Sequence, residues 1–394
     1  MVTGGSGFLG GYVLAEAARR GHSCVALARS PQAARTVAAR GATPLAGNLD
    51  DGAALARVLA SARCDALVNL ASLGFGHAPA IVAAAEWAGL ERAVFISTTA
   101  VTTTLPARSK AVRLAAEDEI RISDLSWTIL RPTMIYGAAG DRNLSRLLVL
   151  LARLRSAPVP RGVPLVVPLP GGGRQLQQPV HVADLAEAAL TAVERPGAAR
   201  HRYDVAGPEP LTFAEMLLAA AAAVGGRVRL VPVPMAPVIA ATRGYERLSR
   251  QPRIRVEQWQ RLAEDKSFPI EAAARDLDYA PRPFAEGIRA EAASLGLGPA
   301  SPRSRRSFPP SAPAAPPALL ALPAPPVPSA LGIALGAIAT LTRRSHAFPR
   351  QEPPGTRPRS ARAAPGPGPA ADQLLQQDEP PAAEARHQGD HHGR

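Results

Sequence analysis

Gly5-Ser6-Gly7-Phe8-Leu9-Gly10 places three glycines on a GxGxxG spacing, and Gly4, Gly7 and Gly10 also satisfy the wider GxxGxxG. The chemistry of such a run is backbone geometry. Glycine permits a tight turn, lets the main chain approach a pyrophosphate, and lets a helix start close on a strand with its N-terminus facing the anion. Gly4, Gly7, Phe8, Leu9 and Gly10 are therefore the first candidate cofactor residues, and the cofactor class is a dinucleotide. About 20 residues on, where an NAD-selective site keeps an acid for the ribose hydroxyls, stands Arg29, followed by Ser30. A guanidinium can clamp a phosphate through two hydrogen bonds, so this position favours NADP over NAD; a solvated surface arginine is the alternative. Asn48, Leu49 and Asp50 are positioned to border an adenine, or else form an ordinary turn and helix cap.

Lys110 is one of two lysines, with Lys266, in a chain that holds 45 lysines and arginines. A compact ammonium does what a guanidinium does not, so a lysine kept in so arginine-rich a chain is suggestive, against a chance surface lysine. Tyr136 follows Pro132 at the expected C-terminal edge of a sheet, where doubly wound folds bind ligands, and is a candidate acid if it does not simply pack its ring. His181 faces either a substrate cleft or a structural hydrogen bond at a helix start. Arg131 and Arg142 hold either an anionic substrate or a capping or surface partner.

The elements that must position these groups alternate. "FLGGYVLAEAARRG" has helical spacing and stops at Gly21; "SCVALAR" reads as a buried strand, "SPQAARTVAARG" as a helix opened by Ser30 and Pro31, and "ATPLAGNL" as a strand. Then "DALVNLA", "RAVFIST" and "WTILRP" read as strands separated by the helices "APAIVAAAEWAG" and "SKAVRLAAEDEIRIS". Continuously apolar strands separated by helices predict an α/β fold with a doubly wound parallel sheet of Rossmann type. Only Met1 and Val2 precede Thr3, so the chain begins inside its own first strand, which normally has about five or six residues. The expected organisation is a dinucleotide-binding core over 1–170, the rest of the sheet with a small substrate-side subdomain over 171–297, and a tail over 298–394.

That tail has 19 of the 41 prolines from Ala300 onward, 11 arginines against 6 acidic residues, and no lysine. Such a composition cannot bury enough surface to offset its ordering entropy, and disorder is expected. The formal net charge of +13 comes from scattered arginines without a basic helix or interleaved aromatics, which argues against nucleic acid. Two cysteines, Cys24 and Cys64, give no disulfide framework and no metal-ligand spacing, and the N-terminus has no signal-peptide pattern. A cytoplasmic protein without a metal is expected. The apolar stretch 329–342 is too short for the roughly 18 to 20 residues of a membrane span. "VRLVPVPMAPVIAATRGYERL" reads as a core helix, or as a surface for a hydrophobic ligand such as a quinone.

Taken in order, "VTGGSGFLG", "AGNLDD", "NLAS", "VFISTTAV", "ILRPTMIYG", "QPVHVADLAEAAL", "YDVAGPEPLTFAEML" and "LDYAPRPFAEGI" resemble the extended and atypical short-chain dehydrogenase/reductases, the group of NAD-dependent epimerases and dehydratases. The resemblance covers nearly all of residues 1–297. It implies that Ala71 and Pro132 face the cofactor beside the glycine turn. It also implies a catalytic hydroxyl at Thr98 or Thr99 and a lysine at Lys110 that lowers the pKa of a tyrosine four residues earlier. That tyrosine is Pro106 here, which has no ionisable group. Two functions stay open: an NAD(P)-dependent oxidoreductase or epimerase with an unconventional acid, its substrate a nucleotide sugar, a quinone or another small molecule; or a non-catalytic NADP(H) sensor with a protein partner. "STTAV", "LPARSKAVRLAAEDEIR", "SWTILRPTMIYG" and "AEDKSFPIEAA" look closest to the nucleotide-binding accessory subunit of respiratory complex I and its bacterial relatives, with NmrA-like regulators a second comparison.

Overall fold

The computed structural model describes residues 1–105, 108–138, 141, 143–155, 165–249 and 255–298. Pro106, Arg142 and residues 299–394 lie outside the described residues.

The first half alternates as its apolar runs require: β1 (Val2–Thr3), α1 (Phe8–Arg19), β2 (Val25–Ala28), α2 (Pro31–Ala39), β3 (Thr43–Ala46), α3 (Gly52–Ala62), β4 (Ala66–Asn69), α4 (Ala78–Trp87), β5 (Arg92–Ile96), α5 (Arg108–Ile122) and β6 (Ser126–Pro132). Side-chain caps fix several helix starts. Ser30 accepts from the Ala33 amide ahead of Pro31, and Asp51 accepts from the Ala54 amide, opening α3. Then follow β7 (Ile135–Tyr136), α6 (Leu144–Arg155), β8 (Leu165–Pro170), β9 (Leu176–Gln177), β10 (Val180–His181), α7 (Val182–Glu194), β11 (His201–Val205), β12 (Leu211–Thr212), α8 (Phe213–Ala223), β13 (Val228–Val233), α9 (Met235–Leu248), α10 (Val256–Leu262), α11 (Glu271–Leu277) and α12 (Phe284–Ser294).

Seven strands form one parallel sheet in the order β3-β2-β1-β4-β5-β6-β11. This is the expected doubly wound sheet. β1 has only two residues but pairs with both neighbours, Val2 opposite Ala26 and Val68, and the Met1 ammonium donates to the Ala66 carbonyl at 2.8 Å. Apolar clusters cover both faces, one built on Leu55, Leu67, Ile81 and Phe95, others on Val13, Leu14, Val94, Leu185 and Ala189.

A further core gathers Leu147, Leu148, Leu151, Phe213, Met216, Trp259 and Ile288 from α6, α8, α10 and α12 beside the β8–β13 pair. The apolar stretch read as a core helix divides instead. Its first part is strand β13, halted at Pro234, and its second part is α9, which buries only Val238 and Thr242 and leaves Leu248 88% exposed. Two prolines within a short apolar run set the break, because neither can supply a helical amide donor.

Candidate functional site

Three features make the turn after β1. Gly4 takes a left-handed φ of +70° with the main chain of Leu70 and Ala71 close behind it, a Cβ there falling 3.1 Å from the Ala71 nitrogen. The Gly7 amide closes the turn on the Gly4 carbonyl at 2.9 Å. At position 10 a Cβ would lie 2.5 Å from the Gly5 carbonyl oxygen, so only glycine lets α1 start this close to the strand. Helix α1 has no side-chain cap and no acid in its first turn. Its leading amides and positive dipole end therefore suit an anion, and the cradle fits a dinucleotide pyrophosphate.

Around that turn the structure supplies supports that motif reading missed. Arg40, at the end of α2, donates from Nη1 to the Gly5 and Gly7 carbonyls at 2.5 and 2.8 Å, and burial lowers its pKa. The buried Thr3 hydroxyl donates to Asn69 Oδ1 at 2.5 Å, and Asn69 Nδ2 donates to the Ala71 carbonyl, tying the turn to the loop after β4. Thr3 and Asn69 stand inside "VTGG" and "NLAS", so the motifs contain them; Arg40 has no such marker. Arg29 is exposed at the end of β2. Asn48 donates to Asp50 at 2.9 Å in an exposed turn, while Leu49 packs on the core.

Past its C-terminal end, β5 runs into a turn at Thr98–Thr103. Thr98 Oγ accepts from the Ala100 amide at 3.2 Å and is half-buried. Thr99 is buried, donating to the Pro132 carbonyl at 3.3 Å. Lys110 Nζ donates to the Thr103 carbonyl at 2.6 Å. The Thr98–Thr103 turn thus meets Pro132 through Thr99 and Lys110 through Thr103. Thr103 in turn donates to Glu264, which also accepts from the Thr104 amide and hydroxyl at 2.9 and 2.8 Å.

Arg131 does not face a substrate. It is 7% exposed and ion-paired with buried Glu117, which also accepts from the Ser97 hydroxyl at 2.5 Å. Asp204 sits opposite Arg131 on β11, its carboxyl pushed up by burial. A buried guanidinium needs a carboxylate more than a ligand does, and two acids surround this one. Of the alternatives open for Arg131, the pairing role is the one seen, and the pair is buried rather than at the surface. No sequence spacing links Ser97, Glu117 and Arg131, since they stand on a loop, a helix and a strand.

Tyr136 is fully buried, its ring edge-on to His181 at 5.3 Å and tilted against Phe284 at 5.2 Å, with the hydroxyl over Gly287. Burial raises its pKa. His181 Nδ1 accepts from the Ala183 amide at 3.2 Å and opens α7; burial, then the Arg282 charge, lowers its pKa to about 4. Asp184 accepts from both the main chain and side chain of Arg282, fastening α7 to the closing segment.

A buried acid pair sits nearby. Asp141 accepts from the amides of Asn143, Leu144 and Ser145, capping α6. Glu291 is fully buried, and burial followed by the Asp141 charge raises its pKa to about 8. The Ser145 hydroxyl lies 2.5 Å from Glu291 Oε1 and 2.9 Å from the Ala138 carbonyl. Glu291 Oε2 is buried with no hydrogen-bond partner among the described residues, a setting that favours the neutral acid. Among the described residues no cluster of three His, Cys, Asp or Glu could hold a metal ion, and no helix is long and apolar enough to cross a membrane.

Comparison with known proteins adds to this geometry. Residues 4–161 match a family model described as NAD(P)H-binding. A curated relative, the 4-hydroxy-2-methyl-3-oxo-4-farnesyl-3,4-dihydroquinoline-1-oxide ketoreductase of Stigmatella aurantiaca, is 28% identical over 320 residues, 71% of this chain and 91% of the relative. Among solved structures, the UDP-glucose 4-epimerase of Thermus thermophilus in complex with NAD superposes with a TM-score of 0.56 at 20% identity, over 75% of this chain and 98% of that one. The UDP-N-acetylglucosamine 4-epimerase of Bacillus cereus gives a TM-score of 0.55 at 18% identity, over 76% and 97%. At these identities the structures share the fold.

Proposed function

We propose that this chain, whose residues 4–161 match an NAD(P)H-binding family model, is an NADP-dependent oxidoreductase of the short-chain dehydrogenase/reductase type acting on the carbonyl of a small, apolar ring compound. The observation that carries the reading is the Lys110 ammonium held 2.6 Å from the Thr103 carbonyl, on the turn that begins at Thr98. The ammonium thus reaches, from α5, the loop that carries the hydroxyl, at the ligand edge of the sheet. The 28% identical ketoreductase, whose named substrate is a farnesylated ring ketone, supports the carbonyl and the apolar class.

A nicotinamide, when bound, would supply the hydride for the carbonyl carbon, and with Pro106 at the place of the usual acid the oxygen would take its proton from water to give the alcohol. The glycine turn and the open end of α1 hold the pyrophosphate, flanked by Ala71 and Pro132. Arg29 takes the phosphate that distinguishes NADP from NAD. Lys110 holds the ribose, and the Thr98 hydroxyl orients the carbonyl oxygen. Tyr136 has no part in this scheme, because a fully buried hydroxyl cannot meet a substrate. His181 is excluded by its capping bond and its neutral state.

The sequence feature that favours a second reading, a non-catalytic NADP(H) sensor, is Pro106 at the place of the usual acid. Titration with NADPH and NADH separates these, followed by NADPH oxidation against ring ketones bearing isoprenoid chains. Arg29→Asp is expected to weaken NADPH about ten- to hundredfold and to leave NADH nearly unchanged. Lys110→Ala is expected to abolish turnover. Tight NADPH binding with no turnover of any ketone transfers the case to the sensor, and failure to bind either nucleotide sinks both.

A further inference from the structure

The segment between α10 and α11 has no regular structure, yet it is fastened at four points. Glu264 takes the Thr103 hydroxyl at 2.7 Å together with the Thr104 amide and hydroxyl. Asp265 accepts from the Leu176 amide at 2.8 Å, and the Lys266 amide donates to the Leu176 carbonyl at 2.9 Å. The Phe268 amide then donates to Gln178 Oε1 at 2.8 Å. Gln178 is itself anchored, its Nε2 donating to the Gly207 carbonyl while its own carbonyl accepts from the Thr133 hydroxyl. Residues 264–268 therefore run from the loop that carries Thr98 and Thr103 to Leu176 and Gln178, and through Gln178 to Thr133 in the loop that follows Pro132.

These two loops are the ones that hold the candidate reacting groups. A strap tied to both must border the reacting end, and it enters from 160 residues downstream of the loop it grips. Its grip on Thr103 has a direct consequence for Lys110. The carbonyl that fixes the ammonium and the hydroxyl that Glu264 captures belong to the same residue, so Glu264 fixes the position of the group to which Lys110 donates. The hydrogen bonds from Thr103 and Thr104 keep the Glu264 carboxyl below its ordinary range even though burial opposes this, and the Lys266 charge adds to the effect. The latch is therefore ionised at neutral pH.

We infer that residues 264–268 wall the reacting end of the site and that Glu264 is a positioning residue that holds Lys110 through Thr103. This rests on the oxidoreductase reading above, since it assigns the strap to the site that reading defines.

Because Lys110 and Lys266 are the only lysines, amine-selective labelling followed by mass spectrometry reads both ends of the latch in the full-length protein. In Glu264→Gln the labelling rate of Lys110 is expected to rise about tenfold, the order expected when charge-assisted hydrogen bonds are lost, with Lys266 rising as well. Saturating NADPH is expected to protect Lys110 in the native protein and less so in the variant. Asp278→Ala, which removes the carboxylate partner of Arg195 at the end of α11, supplies a destabilised control in which Lys110 should label as in the native protein. A native Lys110 rate in Glu264→Gln overturns the strap, as does an equal rise in the control. If NADPH fails to protect Lys110 in the native protein, the cofactor reading fails instead, whichever way the variant behaves.

Discussion

The two ends of the nucleotide cleft are built by different means. At the glycine turn, conformation is written in adjacent residues. Gly4 supplies a positive φ, Gly10 supplies the absence of a Cβ, and the open end of α1 supplies the charge. At the reacting end, Thr98, Lys110 and Pro132 each sit on a different element, and side chains hold those elements together. Ser97, next to Thr98, and Arg131, next to Pro132, meet on Glu117 of α5, the helix that carries Lys110. A backbone-coded end tolerates change in its surroundings, whereas a side-chain-coded end fails when one partner is removed.

The sharpest way to break this comparison is Arg131→Met. It leaves Glu117, 2% exposed, as a buried carboxylate without its cation. Breaking one side of a buried pair costs about 3–5 kcal/mol. A large fall in the urea midpoint is expected, and the double variant Arg131→Met with Glu117→Leu should recover most of it. If the single variant is as stable as the native protein, the pair does not hold the three elements. The comparison then loses its basis.

A smaller effect, separable by pH, comes from Glu291. In the unfolded chain its carboxyl titrates near the ordinary value of 4.5, and in the fold at about 8. Between these values the folded protein binds the additional proton, so this group makes stability fall as pH rises from about 4.5 and level off above about 8. Glu291→Gln keeps the shape without the titration. Thermal melts of the two proteins should therefore diverge in favour of the variant across that window, and run parallel outside it. Parallel melts all the way through the window would show that Glu291 ionises normally despite its burial.

Legibility in the sequence follows the same division. The parallel sheet can be read because β2, β4, β5 and β6 are largely apolar runs, although β11, "HRYDV", is not, and the glycine cradle because its parts are neighbours. Asn69 and Ala71 can be placed through "NLAS". Contact at long separation cannot be read in this way. Glu117 and Arg131 are 14 residues apart, Thr104 and Glu264 are 160 apart, and neither pair has a spacing that marks it. The substrate alternative for Arg131 falls for this reason, since the strand that carries it buries its charge against α5. The stretch after Arg227 misleads for a related one. Apolar content alone does not separate a strand followed by a half-exposed helix from one core helix, and only Pro232 and Pro234 carry the distinction.

The smallest expected effect tests the glycine end where the sequence is silent. Arg40 donates to two carbonyls of the turn, and those carbonyls belong to residues whose amides and Cα atoms shape the cradle. Arg40→Ala removes these bonds without touching the glycines. The Gly7 carbonyl is exposed, so water can replace the donor there, and the bond to the Gly5 carbonyl is only part-buried, so the loss in stability should be about 1 kcal/mol. NADPH affinity should fall by about threefold or less for the same reason. Such a small change would mean that the turn holds its shape by backbone alone. A loss as large as that in Arg131→Met would mean that the glycine end, too, depends on a distant side chain, and that the two ends differ only in how visibly their residues are spaced.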